Sequence, residues 1–361
     1  MSQPIDQTHP SVRHFPGLSP AAFQHPRDVQ ATANLRKVPL LGGVIKTLSA
    51  SVLERQMRLF NISSAVRLGP KQGSSLYRQF TQAAAILDLP ALPEVYVSSQ
   101  YTINAVAFGV EKYQITLYSG LIDMLTEAEL LAVIGHELGH VKCQHMLYKT
   151  MAYILRYLGV EALNNLLPAG MGRLASLPLQ LAILHWERMA EFSCDRAALL
   201  VVQDETVVAN ALAKLAGGSQ KIMPELNLSQ ILQQAREYDE ADEQFLEKLF
   251  KVNMMLLQTH PFPIVRAKEI VDWSATEQYR AIMRGDYAVD PPGAASQPGE
   301  PVVRVCSHCK QTVGRAAATC PACGQAVKKG HLACGQCGLK VFAGWSACPG
   351  CGSRLAEGSV N

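Results

Sequence analysis

The octapeptide Ile134-Gly-His136-Glu137-Leu-Gly-His140-Val141 constrains the fold of this 361-residue chain more than any other stretch. It contains His-Glu-x-x-His, and two histidines four apart reach one ion only on a helix, where positions i and i+4 share a face. The chain's own His and Glu content makes a chance occurrence rare, roughly 0.01 per chain. The flanks carry helical signals: Thr126 stands where an N-cap belongs, Glu127 and Glu129 fill the first turn, and Leu130, Ile134, Leu138 and Val141 supply apolar faces. Gly135 and Gly139 lower helix propensity and so predict close approach of another element.

A catalytic zinc takes three protein ligands and keeps one position open, so a third ligand comes from elsewhere. The motif extension that needs Gly at 143 and His at 146 is excluded, because Cys143 and Met146 stand there; His145 is one position off. Glu161, Glu187 and Glu191 are the acidic candidates downstream. Glu191 is favoured because Asp195 stands one turn further on, where a partner for a ligand would be useful. Cys143 and Cys194 read as small buried apolar residues rather than as ligands.

The reading of the whole chain is α+β, mostly α. Residues 1–26 carry five prolines and no apolar leader, and read as a flexible N-terminal segment. Two amphipathic helices are expected between 39 and 88, then a small antiparallel sheet with a hairpin between 94 and 117, then helices to 284. Residues 285–301 hold seven Gly and Pro and read as a linker, which averages about 23 Å if flexible and reaches about 50 Å if polyproline-like. With 48% hydrophobic and 17% charged residues, wholesale disorder is excluded. A net charge of +3 leaves no strong footprint for nucleic acid. The longest uncharged run, 95–110, is 16 residues, short of the roughly 18 a membrane span needs, so no transmembrane segment is expected.

Eight of the 10 cysteines fall after residue 305, as four Cys-x-x-Cys pairs. All four cysteines of the first half recur 28 residues on, which marks two copies of one unit. Cys320-Pro-Ala-Cys323-Gly recurs as Cys348-Pro-Gly-Cys351-Gly, so Cys306, Cys309, Cys320 and Cys323 are assigned to one structural zinc and Cys334, Cys337, Cys348 and Cys351 to another. Residues 302–355 thus read as a double zinc ribbon, with 356–361 as a short tail. Units of this size bury too little core to fold alone, and structural zinc contributes about 10–16 kcal/mol to such peptides. Residues 302–361 carry seven basic and one acidic side chain. Two zinc centres of four thiolates each would cancel most of that excess, so nucleic acid is not expected as a partner, whereas a protein partner is. Paired cysteines without a leader favour a reducing, cytoplasmic setting.

His136-Glu-Leu-Gly-His140, followed some fifty residues later by Glu191-Phe-Ser-Cys-Asp195-Arg196, resembles the HtpX and CAAX-prenyl-protease type of zinc metallopeptidase, metallopeptidase family forty-eight. The likeness extends to Asn104-Ala105 before Gly109, to Ser119-Gly120-Leu121, and to Thr259-His260-Pro261 followed by Arg266, and covers residues 27–284. It implies a gluzincin fold and a zinc held by His136, His140 and Glu191, with Glu137 as general base and Asp195 assisting. His260 would stabilise the oxyanion, and the edge strand around Asn104 and Ala105, with Arg266, would bind substrate. The implied activity is endopeptidase action on protein or peptide with one catalytic zinc, to which the cysteine spacing of the tail adds two structural zincs. The better-known members carry spanning helices and this chain departs from them, so their membrane location and prenylated substrates do not carry over. The competing reading is a zinc-dependent adaptor or chaperone-like protein that binds but seldom cleaves.

Overall fold

A computed structural model describes residues 12–37, 52–89, 91–109, 112–153, 177–219, 221–240 and 262–290, with strand segments at 303–305, 312–314, 332–333 and 340–341. The first elements are α1 (Pro26–Arg36), α2 (Val52–Ser64), β1 (Val66–Arg67), α3 (Ser74–Ile86), β2 (Glu94–Ser98), β3 (Ala105–Phe108), β4 (Gln114–Tyr118) and α4 (Ser119–Met124). Then come α5 (Glu127–Lys142), α6 (Met146–Tyr153), α7 (Leu177–Val202), α8 (Glu205–Gly217), α9 (Leu228–Glu240), α10 (Pro263–Ser274) and α11 (Glu277–Arg284).

The sheet runs β1-β2-β4-β3 and is mixed, which corrects the expected antiparallel sheet. β3 and β4 form the expected antiparallel hairpin, but β2 pairs β4 in parallel, Val95 opposite Ile115. The chain passes β4's place, turns at the edge as β3, and returns to fill the gap. Strand-forming residues mark the three segments without fixing that order. β3 is left at the edge, beside α5.

α5 starts on a capping box. Thr126 Oγ1 accepts from the Glu129 N–H at 3.3 Å, and the Glu129 carboxylate accepts from the Thr126 N–H at 2.8 Å. Its two glycines face α7. A Cβ on Gly139 would stand 2.8 Å from the Ala197 Cβ, and one on Gly135 would stand 2.9 Å from the Val201 Cβ. Their absence lets two backbones meet at less than ordinary side-chain spacing, as the sequence predicts.

The flanks differ from expectation. Phe15, Leu18 and Phe23 are fully buried, so residues 12–26 belong to the body rather than to a flexible lead-in. The first part of the expected linker, 285–290, pairs with them. Ser19 N–H donates to Ala288 O at 3.0 Å, Asp290 N–H donates to Gly17 O at 2.8 Å, and Phe15 meets Tyr287 edge to face at 5.8 Å. Arg13 donates to the last carbonyls of α11, Met283 O and Arg284 O. Proline and glycine keep regular structure here to a 3-10 turn at Pro20–Ala22 and one antiparallel bridge, Leu18 to Val289, while a few aromatic and aliphatic anchors suffice for packing.

In the tail, β5 (Val303–Val305) pairs β6 (Thr312–Gly314), and β7 (Leu332–Ala333) pairs β8 (Lys340–Val341), all antiparallel. Arg304 lies opposite Val313 and Leu332 opposite Val341, the same register displaced by 28 residues. β5 also pairs β7, Arg304 opposite Leu332, so equivalent positions of the two copies meet. The eight cysteines lie outside the described residues, with the first Cys-x-x-Cys of each copy in the connection between its two strands.

Candidate metal centre

α5 and α7 bring the first set of predicted residues together. His136 Nε2 lies 3.4 Å from Glu191 Oε2, and His140 Nε2 lies 3.3 Å from Glu191 Oε1. Two donors each about 2.0–2.1 Å from one tetrahedral ion stand about 3.3–3.4 Å apart, so the spacing suits a shared zinc better than a hydrogen bond. Among the described residues, His140 Nε2 is buried and has no hydrogen-bond partner, and neither has the buried Glu137 Oε2. Buried polar atoms are rarely left so.

The opposite edges of these groups are held. His136 Nδ1 meets Asp195 Oδ1 at 3.0 Å, which leaves its Nε2 facing Glu191. Arg266, buried on α10, donates through Nε and Nη2 to Asp195 at 2.7 and 2.6 Å and reaches Glu191 Oε2 with Nη1 at 3.0 Å. Its guanidinium thus bridges the two carboxylates, the pairing with Asp195 that the sequence leaves open for it, while it also lines a cavity with His136 and Glu137. Arg196 is buried too, but donates to Phe23 O at 3.2 Å and stacks on the Trp273 ring at 4.8 Å. Lys149 Nζ lies 3.7 Å from Glu137 Oε2. Sequence reading missed Lys149; its only signal is one charge in the otherwise uncharged 146–152 stretch.

Burial sets the baseline for the protonation states, and neighbours modify it. Burial disfavours charge on His136, yet Glu191 and Asp195 outweigh it and push its pKa up to about 9. Burial and the Lys149 ammonium hold His140 well below the ordinary histidine range. Burial opposes ionisation of Asp195, but Arg266 and His136 bring its carboxyl below the usual value. Burial, with Cys143 and Glu191, pushes the Cys194 thiol far up.

Among the described residues, His136, His140 and Cys194 also offer donor atoms within 4.8 Å of one another. Cys143 is a buried free thiol at the end of α5. Glu187 is buried one turn before Glu191; Glu161 and His260 lie outside the described residues.

A cavity of ≈ 520 Å³ opens on His136, Glu137, Asp195 and Arg266. Asn104 and Ala105 line one wall, and Leu121, Val208, Leu212 and Leu215 make the other sides apolar. Ser119 and Gly120 place that wall. Ser119 Oγ donates to Gln100 O at 3.0 Å, and a Cβ on Gly120 would lie 2.3 Å from the Tyr101 carbonyl oxygen.

A profile of Peptidase family M48 matches residues 70–274, more than half of the chain. The chain is 39% identical over 272 residues to the Plastoglobule-localized metallopeptidase 48, chloroplastic, of Arabidopsis thaliana, covering 75% of this chain and 77% of that protein. The chain belongs to Peptidase family M48. It is 32% identical to Protease HtpX homolog 2 of Methanosarcina mazei, over 40% of this chain and 56% of that one. It is 30% identical to the Protease HtpX homolog of Moorella thermoacetica, over 44% and 60%. The match thus spans somewhat more than half of the HtpX homologs' length. The Arabidopsis relative's name puts that protein in a chloroplast body, not in the cytoplasm expected here. Among the described residues of this M48 chain, no helix is long and apolar enough to cross a membrane.

Proposed function

We propose that the protein is a zinc metalloendopeptidase that hydrolyses peptide bonds, with His136, His140 and Glu191 holding the metal. The observation that carries this reading is the Glu191 carboxylate set between two imidazole Nε2 atoms at 3.4 and 3.3 Å, with His136 and Glu137 lining one cavity. Glu191 is preferred to Cys194 because its two carboxylate oxygens each stand opposite an imidazole Nε2, whereas Cys194 Sγ lies 3.7 Å from His145 Nδ1. When bound, zinc supplies an acidified water and a polarised carbonyl.

The chain's own groups do the rest. Glu137 accepts a proton from the attacking water and passes it to the leaving amine as the C–N bond breaks. Asp195 orients His136 through Nδ1, and Arg266 fixes Asp195 and Glu191 together. The free side of β3, with Asn104 and Ala105, pairs with an extended substrate backbone. His260 is proposed as an oxyanion donor by family likeness alone. Cys306, Cys309, Cys320 and Cys323, and Cys334, Cys337, Cys348 and Cys351, are proposed to hold one structural zinc each; the repeated hairpin register supports two equivalent units. The ribbon pair is proposed to dock a protein partner.

The test is casein cleavage by the zinc-loaded chain and its Glu137→Gln variant. Activity is expected to fall about 10²–10⁴-fold with bound zinc unchanged. Undiminished cleavage by the variant would refute the mechanism, and zinc binding without cleavage in the parent chain would favour the adaptor reading.

A further inference from the structure

A second buried line of polar contacts leaves His140 on the side away from Glu191. α5 ends in a Schellman motif: Gln144 N–H bonds Val141 O at 3.1 Å, His145 N–H bonds His140 O at 2.8 Å, and Gln144 sits in the left-handed region at φ 60°. That turn folds His145 back onto the helix end, so its Nδ1 lies 3.3 Å from His140 Nδ1. His145 Nε2 in turn meets Asp28 Oδ2 of α1 at 3.1 Å. Asp28 also accepts from Ser193 Oγ at 2.6 Å and from Thr32 Oγ1 at 3.2 Å. His140, His145, Asp28 and Ser193 are each at most 2% exposed. α1 is clamped in place from α7: Ser193 Oγ accepts from the His25 N–H at 2.9 Å, and Trp186 Nε1 donates to Thr32 Oγ1 at 2.8 Å.

The protons along this line follow by elimination. A metal at His140 Nε2 requires that nitrogen bare, which puts the ring's proton on Nδ1. His140 Nδ1–H then donates to His145 Nδ1, and the His145 proton, left on Nε2, is donated to the Asp28 carboxylate. The opposite polarity would put the His140 proton on Nε2, in the metal's place. Cys194 Sγ, at 3.7 Å from His145 Nδ1, is a weak donor that does not alter this order.

We propose that His145 and Asp28 are positioning residues that hold His140 in its metal-binding tautomer, and that α1 thereby tunes metal affinity. The proposal rests on the reading of His140 as a ligand. α1 precedes residue 70, where the family match begins, so the relay joins the family's metal helix to a segment outside that match. A buried carboxylate is costly unless it is paired, and outer partners of ligating histidines are worth 10–100-fold in metal affinity.

The experiment uses the full chain with ¹⁵N-labelled histidine, titrated with zinc against a chelator. The imidazole signals report this site and are blind to the ribbon cysteines. In the parent chain, zinc is expected to shift Nε2 of His136 and His140 and to leave slowly exchanging protons on His140 Nδ1 and His145 Nε2. His145→Leu should raise the zinc dissociation constant 10–100-fold and abolish the His140 Nδ1–H signal. His145→Asn, whose amide oxygen replaces the Nδ1 acceptor, should recover part of both. Asp28→Asn, nearly isosteric, should weaken zinc several-fold and shift the His145 Nε2–H signal; it carries the test if His145→Leu does not fold. Unchanged affinity and unchanged proton signals in the variants would overturn the relay. Zinc that never shifts His136 or His140 would instead overturn the ligand assignment beneath it.

Discussion

Gly139→Ala separates packing stability from metal binding. The added methyl would stand 2.8 Å from the Ala197 Cβ and 3.1 Å from the Cys194 Cα, both on α7. Carbons in ordinary contact sit about 3.5–4.0 Å apart, so α5 and α7 have to part by roughly 0.7–1 Å at this crossing. Overpacking costs about 1–3 kcal/mol, and the better helix propensity of alanine returns about 1 kcal/mol. The metal-free variant should therefore be only about 0–2 kcal/mol less stable. Metal binding has no such compensation. His140 rides on α5 and Glu191 on α7, while ligand distances tolerate about 0.2 Å. Zinc affinity should fall about 10–100-fold, comparable to the loss of a supporting group. The assay is thermal unfolding of the metal-free chain beside a chelator titration read through the His136 and His140 imidazole signals. Parental zinc affinity in Gly139→Ala would refute the claim that the helix spacing sets the ligand geometry.

Three further outcomes follow from particular contacts. Arg266→Met leaves Asp195 and Glu191 buried without their cation, and metal-free stability should drop by about 3–5 kcal/mol in denaturant unfolding. Burial works against the Asp28 carboxylate, but His145, Ser193 and Thr32 hold its pKa below the ordinary value. Its contribution is therefore complete above the unfolded pKa, about 4, and drains away as pH falls through the lower folded value. Urea unfolding between pH 6 and pH 3 should show Asp28→Asn less stable at the upper end and converging on the parent chain in acid. At Gly217, by contrast, a methyl would meet only the flexible ends of Met223 and Ile222 at 3.4 and 3.7 Å, so Gly217→Ala should gain about 0.5–1 kcal/mol in the same measurement.

What was legible in the sequence depended on the range of the interactions. α5 was legible because its cap, its apolar faces and its glycines are all local, and the structure returns the Thr126 cap with Glu129 closing the box. The β3–β4 hairpin was legible for the same reason. The parallel pairing of β2 with β4 was not, because strand composition carries no direction. Glu191 was favoured among three acidic candidates by Asp195 one turn on and by the family resemblance, and α7 sets it across from both histidines. Arg266 is expected from the family resemblance to serve substrate; the packing of α10 sets it against Asp195, 71 positions back. Asp28 and His145, 117 residues apart, carry no mutual signal. The packed flanks at 12–26 and 285–290 were hidden by composition, which reports the absence of periodic structure and says little about tertiary contact.

The central claim is that one zinc is shared by two imidazoles of α5 and the Glu191 carboxylate of α7. Anomalous diffraction at the zinc edge from crystals of the loaded full chain tests it directly. The account predicts a peak about 2.0–2.2 Å from His136 Nε2, His140 Nε2 and a Glu191 oxygen, with Glu137 beside it and not bound. A peak about 2.3 Å from Cys194 Sγ, or no peak between the two helices, would contradict it.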